Sequence, residues 1–266
     1  MLANTPKCEL EISIVLPLYQ PKGDWAEQFL DNQNKLKALL PRFNLTYIAV
    51  HDGPTVAELK NRFASIQALC PDILFYDYEE NRGKGYALRY GVSRATAPYT
   101  IVMDFDFPFE LKNIQQLIEE LYAGSEVVTG RRTSQYFSIL PFKRKIISRI
   151  YSFCNKLFFD LPVNDTQSGL KGFNQNGKAV FLQTSIDQFL IDTEFLLRAT
   201  KRALSIKVID LHLRQHVSFS DFDYKVLRKE LRNLLSLLRL QHRLPKEKHV
   251  SFGPLYSTSI KMTETK

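Results

Sequence analysis

Short β-rich runs alternate with segments of helical periodicity through the first half of the chain, and this alternation limits the fold more than any other feature. The β-rich runs are EISIVLPLY, LTYIAV, ILFYDY and YTIVMDFD. A β-α-β-α order is typical of a mostly parallel sheet with helices on both faces. The sequence therefore predicts an α/β fold. Helical spacing is clearest in the apolar stripe Val56, Leu59, Phe63, Ile66 and Leu69.

A polar turn follows each of these runs: LYQPKG, HDGP, NRGKG and DFDFP. The carboxyl ends of parallel strands meet at one edge of the sheet, and ligands bind beyond that edge. We therefore expect the four turns to converge, although they are far apart in the sequence.

The second half is less regular but still predicts discrete elements. SEVVTGRR and IKVIDLHLRQH are strand-like, DTQSGLKGFN is a polar loop, and FLIDTEFLLRATKRA is helical. An amphipathic basic helix is predicted near 224–240. No repeat or linker divides the chain, so we expect one domain over 1–244 and a polar, mobile tail over 245–266.

Charge and cysteine content narrow the class of protein. Lys and Arg outnumber Asp and Glu by 36 to 28, and the net charge of +8 favours anionic partners such as nucleotides, phosphorylated substrates or anionic lipid. The basic residues form no recognised nucleic-acid motif, so nucleic acid is not the expected partner. The three cysteines lack metal-ligand spacing, and neither a signal peptide nor a membrane span is evident. These features predict a cytoplasmic protein with reduced thiols.

Two aspartates, Asp104 and Asp106, follow the apolar run YTIVM. If the strand continues to Asp106, both carboxylates point to one side and Phe105 points into the packing. Two like charges held so close need compensation, which a hard divalent cation such as Mg²⁺ or Mn²⁺ supplies. The alternative is an acidic turn in which Asp106 caps the following helix.

The turns NRGKG and HDGP also suit a phosphate-bearing ligand. Gly83 and Gly85 give the backbone flexibility, and Lys84 brings a cation just before a helix N-terminus, which suits an anion. The spacing is that of neither a P-loop nor a dinucleotide fingerprint. Asp52 is a candidate acceptor for hydrogen bonds from a base or ribose. Either turn is also compatible with a purely structural role.

Arg131 and Arg132 end the strand-like run SEVVTGRR. Strand alternation directs one of them toward the binding edge and the other elsewhere. An arginine at that edge would neutralise a diphosphate or an acceptor phosphate. The alternative is a solvated basic turn.

Taken in order, the motifs IVLPLYQ, VHDGPT, NRGKGYALRYGV, VMDFDF, TGRR, DTQSGLKGFN and FLIDTEFLLRA match a known family. The chain resembles family-2 glycosyltransferases with the GT-A fold. It is most similar to the branch that moves a sugar from a nucleotide donor to dolichyl phosphate or another polyprenyl phosphate. The combination of NRGKGYAL, D-x-D and DTQSG is more specific than the D-x-D alone.

The resemblance implies roles for individual residues. Asp104 and Asp106 would bind Mg²⁺ or Mn²⁺ on the donor diphosphate. Arg131, Asp165 and Asp192 would act near the transferred sugar or the acceptor. The donor would be bound by Pro17, Tyr19, Asp52, Gly53, Asn81, Gly83, Lys84, Asp104 and Gln167.

Three departures from the family pattern matter. His51 stands where the family commonly has the first of two adjacent acids. Phe107 and Pro108 follow the D-x-D, where enzymes that act on lipid phosphates often carry a further polar ligand. Many polyprenyl-phosphate enzymes also have C-terminal transmembrane helices, and this sequence shows none.

The leading hypothesis is a metal-dependent, inverting sugar transfer from a UDP- or GDP-linked donor to a polyprenyl phosphate. The alternative is a soluble family-2 transferase that acts on a glycan hydroxyl in polysaccharide or cell-envelope biosynthesis, with Asp192 or Asp165 as base. A nucleotidyltransferase lacks support, because the glycine-rich N-terminal signature of sugar-nucleotide pyrophosphorylases is missing. A non-catalytic protein that binds nucleotide or nucleic acid is the remaining class.

Two segments suit an anionic membrane surface on the cytoplasmic side. The stretch from Phe142 to Arg149 mixes basic and apolar residues, and the helix near 224–240 is cationic on one face and leucine-rich on the other. The alternative for the helix is that its leucine stripe packs on the domain while its basic residues are solvated.

Overall fold

The computed structural model describes residues 10–21, 23–133, 136, 145, 152, 155–159, 161–163, 165–214 and 224–245, without the side chains of 224–229 and 231. The predicted tail lies outside the described residues except for Pro245, and the basic stretch at 142–149 lies outside them except for Lys145. Cys70 is described and is a buried free thiol. None of the described helices combines the length and apolar character needed to cross a membrane.

A mixed sheet of seven strands forms the centre of the described chain, in the order β3-β2-β1-β4-β6-β5-β7. Strand β6 runs antiparallel to its neighbours β4 and β5, whereas the remaining pairs are parallel. The mostly parallel sheet predicted from the sequence is thereby confirmed. The strands are β1 (Leu10–Leu18), β2 (Phe43–His51), β3 (Ile73–Tyr76), β4 (Tyr99–Val102), β5 (Val127–Arg132), β6 (Lys171–Phe173) and β7 (Ile206–Leu211).

Helices cover both faces of the sheet, as the alternating pattern predicts. Along β1, Ile14 and Leu16 pack with α1, α2 and α4, whereas Val15 packs on the opposite face with α3, α5 and α6. This division follows from the two-residue repeat of a strand. The helices are α1 (Trp25–Leu39), α2 (Ala57–Leu69), α3 (Lys84–Arg94), α4 (Leu111–Tyr122), α5 (Gln175–Phe181), α6 (Ile191–Lys201) and α7 (Tyr224–Arg243).

The reversed strand β6 determines where the loop DTQSG lies. Strand β6 is inserted between β4 and β5 and runs against both, so its first residue lies beside their carboxyl ends. Lys171 accordingly pairs with Val102, the last residue of β4. The loop that precedes β6 therefore reaches the same edge as the turns that follow the parallel strands.

Helix α7 packs through its leucines against a separate apolar cluster, the α7 cluster. The cluster joins Leu237, which is fully buried, to Phe159, Ile186, Leu190 and Leu197. The predicted amphipathic helix thus exists and buries part of its leucine stripe on the domain.

Candidate functional site

Turns from distant parts of the sequence meet at the carboxyl edge of the sheet. Asp52, after β2, bonds to residues 78–83, which follow β3. Lys84, at the start of α3, forms an ion pair with Asp104, which follows β4. Gly169, from the loop before β6, lies directly against the Asp104 carboxylate. The structure therefore assembles at one edge the turns that the strand order predicts to converge.

The segment DFDFPF is a turn whose aromatic residues are buried. Strand β4 ends at Val102, so the strand does not continue to Asp106 as expected from the sequence. The rings of Phe105 and Phe107 are buried and lie 5.0 and 6.1 Å from the ring of Phe29. Phe107 has φ of 48°, a left-handed conformation that is strained for a bulky residue. The position expected to carry a polar ligand is therefore an aromatic anchor that holds the turn.

Asp106 does not cap the following helix. Helix α4 begins at Leu111, its N-cap residue is Glu110, and that residue makes no side-chain capping bond. The capping interpretation of Asp106 is therefore wrong, and the carboxylate remains exposed beside Asp104.

The Asp104 carboxylate is close enough to Asp106 to affect the ionisation of Asp106. Partial desolvation, and then the charge of Asp104, raise the pKa of the Asp106 carboxyl above its usual value. Desolvation lowers the pKa of the Lys84 amine, but attraction to Asp104 and then to Asp192 outweighs it, so that this pKa lies above its ordinary value. The site is thus a compact arrangement of two carboxylates and one charged amine.

The carboxylate pair suits a hard divalent cation. Carboxylate oxygens are the ligands that Mg²⁺ and Mn²⁺ prefer, and Mg²⁺ is commonly held by one or two carboxylates, with phosphate oxygens and water completing its shell. Within the described part of the chain, no group of three His, Cys, Asp or Glu side chains is arranged to hold a metal ion. Asp104 and Asp106 therefore fit a cation that takes its other ligands from a bound phosphate.

Asp52 anchors the NRGKG turn. The side chain is 4% exposed, and its carboxylate accepts bonds from Tyr78 Oη at 2.7 Å, Asn81 Nδ2 at 3.0 Å and Arg82 N at 2.8 Å. Gly83 N donates to both carboxylate oxygens at 2.9 and 3.1 Å. This carboxylate bonds to the turn, and its predicted contact with the nucleoside stays a prediction. Asn81 is likewise engaged by Asp52.

Replacement of Asp52 by alanine is expected to destabilise the fold by about 3 kcal/mol, because several donors lose a buried charged acceptor at once. Urea denaturation of the variant measures this. Asp77→Ala is the matched control, since Asp77 is exposed and its carboxylate accepts a 3.3 Å bond from Thr55 N. Equal stabilities for the two variants would contradict the anchoring role.

The glycines of NRGKG allow close packing against residues 185–188. A Cβ at Gly83 or Gly85 would collide with the carbonyl oxygens of Asp187 and Ile186, and Gly83 also has φ of 109°. The amide groups of Gly85 and Tyr86 donate to Asp187 O at 2.8 and 3.3 Å. The N-terminus of α3 is therefore partly occupied by this segment. No periodicity or motif marks residues 185–188 in the sequence, which is why sequence reasoning missed their contribution.

The two arginines at the end of β5 separate as alternation predicts, and Arg132 is the one that pairs with the loop before β6. Arg132 binds Asp165 through Nε at 2.8 Å and through its backbone N–H at 2.9 Å, and both side chains are largely buried. Arg131 binds Asp210 on the neighbouring β7, where the strand register places these residues side by side. That pair is half exposed, so Arg131, predicted to be catalytic, lies in a surface ion pair.

Asp192 is held in a buried ion pair. Its carboxylate lies 2.9 Å from Lys171 Nζ, and the two side chains are 6% and 0% exposed. The neighbouring acid Glu194 is also fully buried and accepts the amide groups of Ser185 and Ile186 at 2.8 Å each. Asp165 and Asp192, the predicted base candidates, are thus each paired with a cation.

The remaining predicted donor residues surround the same edge. Tyr19 is 55% exposed just beyond β1, and Pro17 is half-buried near the end of that strand. Gly53 has φ of 119° and packs against the backbone of Asn81. Gln167 is half-buried in the loop before β6. Their contacts with a ligand remain predictions.

Comparison with known proteins places this geometry in context. The family model described as "Glycosyl transferase family 2" matches residues 13–189. A curated relative, dolichyl-phosphate beta-glucosyltransferase from Dictyostelium discoideum, is 25% identical over 220 residues, which cover 76% of this chain. The matched region spans 66% of that relative, just under two thirds of its length.

Solved glycosyltransferase structures share the fold. Mannosyl-3-phosphoglycerate synthase from Rubrobacter xylanophilus superposes with a TM-score of 0.64 and 18% identity, covering 92% of this chain and 79% of that one. Glucosyl-3-phosphoglycerate synthase from Mycobacterium tuberculosis, in complex with Mn²⁺, UDP and phosphoglyceric acid, gives a TM-score of 0.62 at 13% identity and covers 89% of this chain and 80% of that one. At these identities the likeness establishes the GT-A fold alone.

Proposed function

The chain belongs to glycosyltransferase family 2, and from this we propose that it is a metal-dependent, inverting glycosyltransferase. The proposed donor is a UDP- or GDP-linked sugar, and the proposed acceptor is a polyprenyl or dolichyl phosphate. The observation that carries the proposal is the arrangement of Asp104, Asp106 and Lys84 at the carboxyl edge of the sheet. Mn²⁺ with UDP in the Mycobacterium tuberculosis structure, and the name of the Dictyostelium relative, support the donor and acceptor classes.

The reaction needs negative charge to be stabilised on the departing nucleoside diphosphate. Asp104 and Asp106 would hold the divalent cation, which supplies Lewis-acid stabilisation of that charge when bound. Lys84, kept protonated by the carboxylates around it, adds a fixed positive charge at the same place. Because these charges are placed before the reaction, the site is suited to leaving-group stabilisation.

The pairing of the two base candidates favours a phosphate acceptor. A hydroxyl acceptor requires a general base, but Asp165 is bound to Arg132 and Asp192 to Lys171, and both carboxylates are at least nine-tenths buried. A phosphate acceptor is already an anion and needs no base. The geometry therefore supports transfer to a lipid phosphate over transfer to a glycan hydroxyl, which is kept as the second candidate.

Exposed apolar side chains support a lipid-bearing acceptor delivered at a membrane surface on the cytoplasmic side. Phe158, Phe189 and Leu235 are 42%, 45% and 51% exposed, and each adjoins in sequence a residue packed in the α7 cluster. Phe189 also lies 6.0 Å from Lys84 Nζ, measured to the ring centroid. An apolar surface that reaches the charged site is what a phosphate with an isoprenoid chain requires.

Calorimetric titration with UDP and GDP, with and without Mn²⁺, tests the donor site. We expect one nucleotide to bind, and at least tenfold more tightly with Mn²⁺, because the cation joins its phosphates to the two carboxylates. Sugar transfer is then assayed on polyprenyl phosphate in vesicles and on free glycans. Product on the lipid phosphate supports the proposal, product on glycan hydroxyls alone establishes the second candidate, and no binding of either nucleotide contradicts both.

A further inference from the structure

Residues 185–194 form one chain segment that lies beside the candidate site and ends in the first turn of α6. This segment contacts the NRGKG turn through Ile186 and Asp187, and it carries Phe189 next to Lys84. It also carries Asp192, which pairs with Lys171. The position of this segment therefore sets the shape of the site beside the NRGKG turn and Lys84.

The start of α6 lacks a local cap. The first amide groups of a helix have no partner within the helix and need an acceptor. The N-cap residue of α6 is Leu190, which makes no side-chain capping bond. Ile191 N donates to Gln188 O at 3.3 Å, whereas the amide of Leu190, and that of Phe189 just before the helix, bond to the carboxyl group of Glu230.

Glu230, on α7, supplies such an acceptor from 41 residues away. Its Oε1 accepts from Phe189 N at 3.0 Å, and the side chain is only 4% exposed. Burial raises the pKa of the Glu230 carboxyl, while bonds from the Phe189 amide and the Asn233 side chain oppose that rise. A carboxylate at the N-terminus of a helix is also stabilised by the helix dipole.

Packing alone does not explain a glutamate at position 230. Leu190 and Leu237, from the two elements that Glu230 connects, belong to the apolar α7 cluster, where an apolar side chain would fit without desolvating a carboxyl group. A second buried glutamate, Glu194 at the end of the segment, accepts the amide groups of Ser185 and Ile186 at its start. Buried glutamates therefore hold the segment at its start and at Phe189.

We propose that Glu230 is a positioning residue that fixes Phe189 and Leu190, and thereby the acceptor side of the site, from helix α7. The expected effect of Glu230 on sugar transfer rests on the proposed function, whereas its expected effect on the backbone at Phe189 does not. The site can then be productive only when α7 is docked, because α7 carries the carboxyl group that accepts the hydrogen bond from Phe189 N and so holds residues 185–194 in place.

Hydrogen–deuterium exchange and steady-state kinetics on Glu230→Ala and Glu230→Gln test the proposal. In Glu230→Ala the amide of Phe189 should exchange at least tenfold faster, because local opening no longer breaks a bond to the carboxylate. The kcat for transfer should fall about tenfold or more, while the affinity for nucleotide with Mn²⁺ stays unchanged. Glu230→Gln keeps an oxygen acceptor and should retain both amide protection and most of kcat.

Leu36→Ala is the matched control, since it removes a fully buried side chain from α1, on the face of the sheet opposite to α6, and leaves α7 and Glu230 untouched. It should lower the unfolding midpoint but leave Phe189 exchange and kcat close to wild type at temperatures where the protein is folded. Unchanged Phe189 exchange in Glu230→Ala, or equal losses of kcat in the two alanine variants, overturns the proposal. If the wild-type protein transfers no sugar, the proposed function fails, and Phe189 exchange still decides the role of Glu230.

Discussion

Asp104→Asn is expected to lower sugar transfer by about 10²–10³-fold, the loss typical when one preorganised electrostatic group is removed from an active site. The substitution keeps the size of the side chain but removes the charge that attracts both the cation and Lys84. Nucleotide affinity should lose its dependence on Mn²⁺ in the same variant. Steady-state transfer rates and calorimetric titration with and without Mn²⁺ measure the two effects.

Glu110→Gln is the control for this prediction, because it removes an exposed carboxylate from the same connection without changing the carboxylate pair. It should leave transfer within about twofold of wild type, as surface substitutions away from a site usually do. Asp106→Asn should show the same loss of Mn²⁺ dependence as Asp104→Asn. Metal-dependent binding that survives both substitutions would show that the cation is held elsewhere.

Asp192→Asn is expected to destabilise the protein by about 3–5 kcal/mol, the range found when one partner of a buried ion pair is removed. Lys171 would keep its charge in a fully buried position without a charged partner, whereas the pair is now 2.9 Å apart. Urea denaturation of the variant gives the loss directly. A loss below 1 kcal/mol would show that the pair contributes little to the fold.

The double variant Lys171→Met/Asp192→Leu separates a structural role from a catalytic one. Replacing both charges by apolar residues of similar size is often neutral or stabilising, so most of the stability should return. If Asp192 were the general base of a hydroxyl transfer, the stable double variant would lose transfer to glycans. Transfer to glycans that persists in the double variant would exclude that role.

The binding edge is the part of the site that could be predicted from the sequence. The alternation of strands and helices along the chain and the composition of the turns are local properties. Parallel strands place the turns that follow them at one edge of the sheet, and Asp104 and Lys84 meet at that edge. The alternation of Arg131 and Arg132 was also predictable. Which of the two pairs with Asp165 was not, because that depends on the strand register, which sets Arg131 beside Asp210.

The sequence by itself determined the alternation of strands and helices, the edge at which the turns converge and the two carboxylates of Asp104 and Asp106. These features depend on periodicity and residue type over short stretches. Only the tertiary structure decided the partners of the buried charges: Asp52 with the NRGKG turn, Asp192 with Lys171, and Glu230 with Phe189. Those pairs join residues 21 to 41 positions apart. A buried charge needs a partner. Which residue becomes the partner depends on how whole helices and strands pack, and short stretches of sequence do not show that packing.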